Sequence, residues 1–353
     1  MKKVRISEKN KIEGLKYALL ADKIELPVLD ITHPLFVSSI NEAKLASLLK
    51  DVEKKGEKRA DGFQKMPSFI KSFFSKHSFV MADLLAKEKT DAFLSGVSTL
   101  MLKLGPGLIG EGRDRFLDRL VAGGLGAITL RMRLRDICRC QADALIPPLR
   151  DSRKNLCFFN IGGGTACDSL NTLILIRKED PWLLENRTIE INVLDLDSFG
   201  AKFAERCVAA LQTPGGHFYG LAISLRHIPY DWNDPAGLES LLAERRGWIQ
   251  IGVSEGGLFE YGSDETILQT LNTMFDRTEP ETTIVGSLMR DLDSIDPGAP
   301  AALKITRIKA RLLGIDGLKN ILALTRWRLE RTIEGNPRYV IFALRKDRAA
   351  GRD

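Results

Sequence analysis

Phe158-Phe-Asn-Ile-Gly-Gly-Gly-Thr-Ala-Cys-Asp-Ser-Leu170 decides how this chain is read. An apolar strand runs into three consecutive glycines, and a helix is expected to begin just after them. In open α/β sheets ligands bind at the carboxyl ends of the strands, near the point where the strand order reverses. Glycines there let the backbone approach a ligand that a Cβ would block. Asn160, Gly162, Gly163 and Gly164 are therefore candidate ligand-binding residues.

Downstream, short apolar runs alternate with helical segments. Candidate strands are Leu156–Ile161, Ile189–Asp195, Phe218–Leu225, Trp248–Val253, Thr282–Leu288, Arg328–Ile333 and Arg338–Leu344. Helical sequence separates the first five, which predicts a parallel, doubly wound sheet. Only Glu334-Gly-Asn-Pro337 separates the last two, so they are expected to pair as an antiparallel hairpin at or near the sheet edge. The fold class predicted is α/β: a Rossmann-like, mostly parallel seven-stranded sheet with a terminal hairpin.

Upstream, residues 1–150 read as an all-helical domain, with the sheet domain spanning 151–353. Apolar residues recur at helical spacing in Ala43–Val52, Phe79–Ala86 and Phe93–Leu102. Lys50–Asp61 is charge-dense and reads as an exposed connection. Leu104–Gly112 reads as a loop, and Gly123-Gly-Leu-Gly126 as a flexible point. Pro147-Pro148 is expected to end the helix that precedes the sheet, because proline lacks the amide hydrogen and clashes with the preceding turn.

Three further elements carry candidate site residues. Val193-Leu-Asp-Leu-Asp-Ser198 places Asp195 at the tip of the second strand, where a carboxylate accepts hydrogen bonds from ribose hydroxyls. Leu196 is positioned to pack on an adenine face. Asp197 competes for the ribose role, and one of the two acids is expected to cap the following helix. Asn160 and Asp195 are 35 positions apart, against about 20 in dinucleotide folds. In Ile228-Pro-Tyr-Asp-Trp-Asn-Asp234, Asp231 can accept from an adenine amino group and Trp232 can stack, while Asp234 can cap a helix. Val253-Ser-Glu-Gly-Gly-Leu-Phe-Glu-Tyr261 puts Ser254 and Glu255 at the carboxyl end of a central strand.

These four elements, with the terminal hairpin, resemble class I S-adenosylmethionine-dependent methyltransferases over roughly residues 150–346. The Asn-Ile-Gly-Gly-Gly stretch looks like their first motif and Leu194-Asp-Leu-Asp like their ribose-acid motif. Ser254–Tyr261 is similar to a segment of the leucine carboxyl and polyketide O-methyltransferase branch. The chain departs from the pattern at Asn160, where the first motif usually opens with Asp or Glu. The resemblance implies S-adenosylmethionine as cofactor, a small-molecule or peptide acceptor, and in-line attack on a methyl carried by positively charged sulfur. His217, His227 and Glu255 are the candidates for a general base. Arg133 and Arg135 are placed on a solvated helix face, with carboxylate binding as their other reading. A nicotinamide-dependent oxidoreductase and a non-catalytic cofactor-binding protein are the alternatives.

Composition narrows the classes. The chain has 353 residues, 44% hydrophobic and 28% charged, which is ordinary for a globular protein with a full core. A formal net charge of +6 over this length does not single out nucleic acid. The arginines from Arg326 to Arg352 read as charges that discourage edge-to-edge pairing. No run approaches the roughly 18 consecutive apolar residues of a membrane span. Five cysteines without repeated spacing and four scattered histidines predict neither a disulfide framework nor a zinc site. The N-terminal Met-Lys-Lys-Val-Arg-Ile has no apolar signal core, which predicts a cytoplasmic protein.

Overall fold

The structure, a computed structural model, describes residues 11–20, 24–64, 96–109, 116–306 and 308–346, with isolated positions between 72 and 82. In chain order the elements are β1 (Tyr17–Leu20), β2 (Ile24–Pro27), α1 (Pro34–Ser39), α2 (Glu42–Gln64), α3 (Gly96–Leu108), α4 (Phe116–Ala122), α5 (Leu125–Asp151) and β3 (Leu156–Ile161). They continue as α6 (Cys167–Glu179), β4 (Thr188–Leu194), α7 (Ser198–Leu211), β5 (Ala222–Ile228), α8 (Ala236–Glu244), β6 (Ile249–Ser254) and α9 (Leu258–Tyr261). The last are α10 (Asp264–Arg277), β7 (Thr283–Met289), α11 (Gly298–Thr306), α12 (Gly314–Leu322), β8 (Trp327–Ile333) and β9 (Tyr339–Lys346).

The fold is Rossmann-like. Seven strands form one sheet in the order β5-β4-β3-β6-β7-β9-β8. The pairs among β3 to β7 are parallel, whereas β9 runs antiparallel to both β7 and β8. From β3 the chain builds outward through β4 to β5, then crosses back to β6 and on to β7. The order therefore reverses between β3 and β6, directly after the triple glycine.

Burial on both faces follows from period-two alternation along continuous apolar strands. Leu156 and Phe158 of β3 join a hydrophobic cluster with α5, α6 and α7. Cys157, Phe159 and Ile161 join another with α8, α10 and α12 on the opposite face. Strand β9 divides likewise: Tyr339, Ile341 and Ala343 face one way, Val340, Phe342 and Leu344 the other.

Several expectations are corrected. The third strand begins at Ala222, not Phe218, because Gly220 adopts φ +79 and turns the chain. Phe218 is fully buried in the preceding turn, so its apolarity reflects core packing. Residues 50–61 are not a connection but the middle of α2. Pro147 and Pro148 lie inside α5, which continues to Asp151. The helical φ suits proline, and Leu145, Ile146 and Leu149 are buried, so packing outweighs the lost amide bonds. Among the described residues before 150, the elements are helices and the short β1–β2 ribbon.

Leu104–Leu108 belongs to α3, kinked at Gly105 (φ +71), rather than to a loop; Gly110–Gly112 of that expectation lie outside the described residues. Arg131 meets this break. Its Nη1 donates to the carbonyls of Leu102 (2.9 Å) and Ala122 (2.8 Å). Burial lowers its pKa to about 10. The helix expected over Phe79–Ala86 lies largely outside the described residues. No helix among the described residues is long and apolar enough to cross a membrane.

Candidate functional site

A cavity of about 610 Å³ opens at the carboxyl ends of β3, β4 and β6, where the strand order reverses. That volume is in the range that holds small molecules and cofactors. Its floor is the glycine turn. Gly162 (φ +65) and Gly164 (φ +49) adopt left-handed backbone, which glycine takes without steric cost. A Cβ on Gly162 would stand 3.3 Å from the Trp232 ring and 3.1 Å from Gly257 Cα.

Asp195 joins the first two strands. Its Oδ2 accepts the Gly164 amide hydrogen at 2.9 Å and its Oδ1 the Asp197 amide hydrogen at 2.9 Å. Burial pushes its carboxyl above the ordinary value, against the pull of these amides. Two backbone donors leave about half of a carboxylate's lone-pair sites open. Asp197 accepts from the Phe199 amide and is the N-cap of α7. Asp195 thus holds the glycine turn and Asp197 caps the helix, and both line the cavity.

Of the ten residues singled out in the sequence, Gly162, Gly163, Gly164, Asp195, Leu196, Trp232 and Glu255 line this cavity. Asn160, Asp231 and Ser254 do not. Asn160 is fully buried beneath the turn and donates to Asp168 Oδ1 (2.8 Å) and Ser169 Oγ (2.9 Å), bracing the start of α6. A Cβ on Gly163 would stand 2.6 Å from its Cγ, which explains the central glycine. Asp231 is exposed and accepts from the Asn233 amide and side chain. Ser254 donates to Ile161 O (3.0 Å) and accepts the Leu258 amide (2.9 Å), tying β6 to β3 and starting α9.

Glu255 directly follows β6, among cations that sequence reasoning did not bring together. Lys103 Nζ donates to its Oε2 at 2.7 Å, and Arg133 Nε to its Oε1 at 3.1 Å. Arg133 Nη1 continues to Glu260 Oε1 at 2.8 Å, and its guanidinium lies 4.5 Å from the centre of the Tyr339 ring. All four charged side chains are at most 7% exposed. Burial opposes the charge on Arg133, but Glu260 and Glu255 outweigh it and raise its pKa. Arg133 is therefore corrected from a solvated face to the cavity wall. Arg135 is half exposed and pairs with Asp136.

The other base candidates lie off the cavity wall. His217 Nε2 is 2.9 Å from Asp30 Oδ2, and His227 Nε2 is 2.8 Å from the Asp195 carbonyl oxygen. Sequence reasoning missed Lys103, but helical spacing carried the signal: Gly96, Thr99 and Lys103 form one stripe of α3 along the cavity. Gly96 permits it, since its Cβ would lie 3.0 Å from Gly164 Cα. Gly200 of α7 meets the same turn from another side, its Cβ position being 2.7 Å from the Gly164 carbonyl carbon.

The sequence matches no protein-family model and no curated relative. Among solved structures, it is similar to a possible exported protein from Bordetella parapertussis, at 17% identity and TM-score 0.54. That alignment covers 86% of this chain and 96% of that one. The likeness establishes the fold. Weaker similarity reaches a magnesium protoporphyrin IX methyltransferase from Synechocystis PCC 6803 with bound SAH, at 12% identity and TM-score 0.44, over 71% of this chain and 94% of that one. It also reaches LepI in complex with SAM, at 14% identity and TM-score 0.36, over 55% of this chain and only 43% of that one.

Proposed function

We propose that this chain is an S-adenosylmethionine-dependent methyltransferase acting on the oxygen or nitrogen of a small molecule. The observation that carries the reading is the Asp195 carboxylate on the Gly164 amide, at the floor of a cavity at the sheet's reversal point. The residues fit the cofactor's chemistry. Asp195 has lone pairs left for ribose hydroxyls, and Leu196 and Trp232 offer apolar surface for a base. Lys103 and Glu255 supply both charge signs for an amino-acid end.

Bound there, the cofactor supplies a methyl group on positively charged sulfur, open to in-line attack. The chain's own task is then orientation and exclusion of water. The far half of the cavity suits this, being walled by Val121, Ala127, Leu130, Met289 and Leu303. Glu255, gripped by two cations, positions rather than accepts a proton. Residues 1–150 contribute Val121, Ala127 and Leu130 to the acceptor side and Lys103 to the cofactor half, and residues 151–353 supply the glycine turn, Asp195 and the rest of the wall.

Titration calorimetry with S-adenosylhomocysteine, and in parallel with NAD⁺ and NADH, tests the proposal. Saturable binding of the first alone is expected. Binding of the nicotinamide nucleotides instead would favour an oxidoreductase, and binding of none would remove the cofactor reading.

A further inference from the structure

Arg338 lines the cavity, immediately before β9. Its Nε donates to Asp296 Oδ2 at 2.5 Å and its Nη2 to Oδ1 at 3.2 Å. The Asp296 side chain is 1% exposed and is itself fixed, accepting the Gly298 amide at 3.0 Å. This fork uses one edge of the guanidinium and two of its five N–H donors. The other edge, carrying Nη1, lies beside Gly126 in the first turn of α5, 3.0 Å from where a Cβ would stand. Among the described residues, no acceptor is assigned to Nη1.

The surrounding wall offers little alternative. Val121, Ala127, Leu130, Ala299 and Leu303 line the same cavity and have no polar side-chain atoms, and the Tyr339 ring, which lines it too, is occupied by Arg133. A donor held rigidly in such a wall discriminates, because a bound molecule that cannot accept its hydrogen leaves it unpaired and desolvated. Charge decides which acceptor suits it. Asp296 already neutralises Arg338, so a carboxylate added there would bury a net negative charge, which disfavours it. A neutral oxygen satisfies the donor without that cost.

We propose that Arg338 is a specificity residue that reads an uncharged carbonyl oxygen on an otherwise apolar, ring-sized acceptor molecule. This rests on the methyltransferase reading above, and names the substrate class of its acceptor half. Gly126 is the residue that keeps the reading edge open.

The test uses the full chain saturated with S-adenosylhomocysteine and three matched probes: 2-acetonaphthone, 2-naphthoate and 2-ethylnaphthalene. The ketone is expected to bind roughly tenfold more tightly than either of the others, the scale of one well-made hydrogen bond. Arg338→Met should abolish that preference. Because it strands Asp296, Gly126→Ala serves as the second variant: it covers Nη1 with a shift of a few tenths of an ångström in the guanidinium, keeps Asp296 as its partner and suits a helix. It should abolish the preference equally while S-adenosylhomocysteine affinity stays unchanged in both variants. Equal affinity for ketone and hydrocarbon, tighter binding of the naphthoate, or a preference that survives both substitutions would each overturn the assignment. Failure of the wild-type chain to bind S-adenosylhomocysteine would instead overturn the methyltransferase reading, and this inference with it.

Discussion

The Asp195 carboxylate holds the Gly164 amide hydrogen at 2.9 Å, joining the tip of β4 to the turn that follows β3. Asp195→Ala should weaken S-adenosylhomocysteine binding by about 1–3 kcal/mol, the scale of lost hydrogen bonds to a charged group. Asp197→Ala should leave affinity near wild type and lower stability by about 1 kcal/mol, as expected for a lost N-cap. Calorimetry and urea unfolding separate the two. The reverse pattern would move the ribose role to Asp197.

The glycines around that turn make a steric prediction. Gly96→Val would drive methyl groups into Gly164, which already lies within 3.0 Å of the Cβ position. Helix α3 must then move off the turn and take Lys103 with it. Affinity for S-adenosylhomocysteine should fall roughly tenfold or more, since small displacements of positioning elements are costly. Wild-type affinity in the valine variant would show that α3 contributes nothing to the cofactor half.

The central strands and the terminal hairpin were legible in the sequence because the buried strands are continuous apolar runs that can be read without knowing their neighbours, whereas the strand order came only from the structure. The acid on the glycine turn, Asp195, was legible too, since position at a strand tip is a one-dimensional property. What escaped was whatever depends on contacts across the chain. Arg133 reads as a surface residue because nothing in its own helix reveals Glu255, 122 positions away. Lys103 was invisible for the same reason. Asn160 sits in the expected motif, yet its amide turns inward to Asp168 and Ser169, a choice set by the central glycine above it. Phe218 reads as strand because burial in a turn and burial in a strand look alike in composition.

The buried charges on the cavity wall predict a stability effect. Glu255→Gln leaves Lys103 without its carboxylate and Arg133 with only one. The cost should be about 3–5 kcal/mol, the usual penalty for stranding a buried charge. Lys103→Met combined with Glu255→Leu should recover most of it, because Arg133 keeps Glu260. Urea denaturation of the single and double variants measures this. A single-variant loss below about 1 kcal/mol would mean that solvent screens the network.

Asp168 predicts a pH dependence. Burial first, and the Glu255 carboxylate second, raise its pKa to about 6. The unfolded chain holds the same group near its ordinary value of about 3.9. Between these values the folded protein binds a proton that the unfolded chain does not. Its contribution to stability is therefore greatest at the acidic end and is lost as pH rises through about 6. Two pH units correspond to an effect on the order of 3 kcal/mol. The stability gap between wild type and Asp168→Asn, measured in urea, should shift toward the wild type by that order between pH 7.5 and pH 4. A gap that does not change with pH would contradict the assignment.

The most direct test is a crystal structure of the chain with S-adenosylhomocysteine. The ribose hydroxyls should lie within hydrogen-bonding distance of the Asp195 carboxylate, with the base against Trp232 or Leu196 and the sulfur facing the apolar chamber. A nucleoside bound away from Asp195, or the chamber filled while the glycine turn stays bare, would contradict the account.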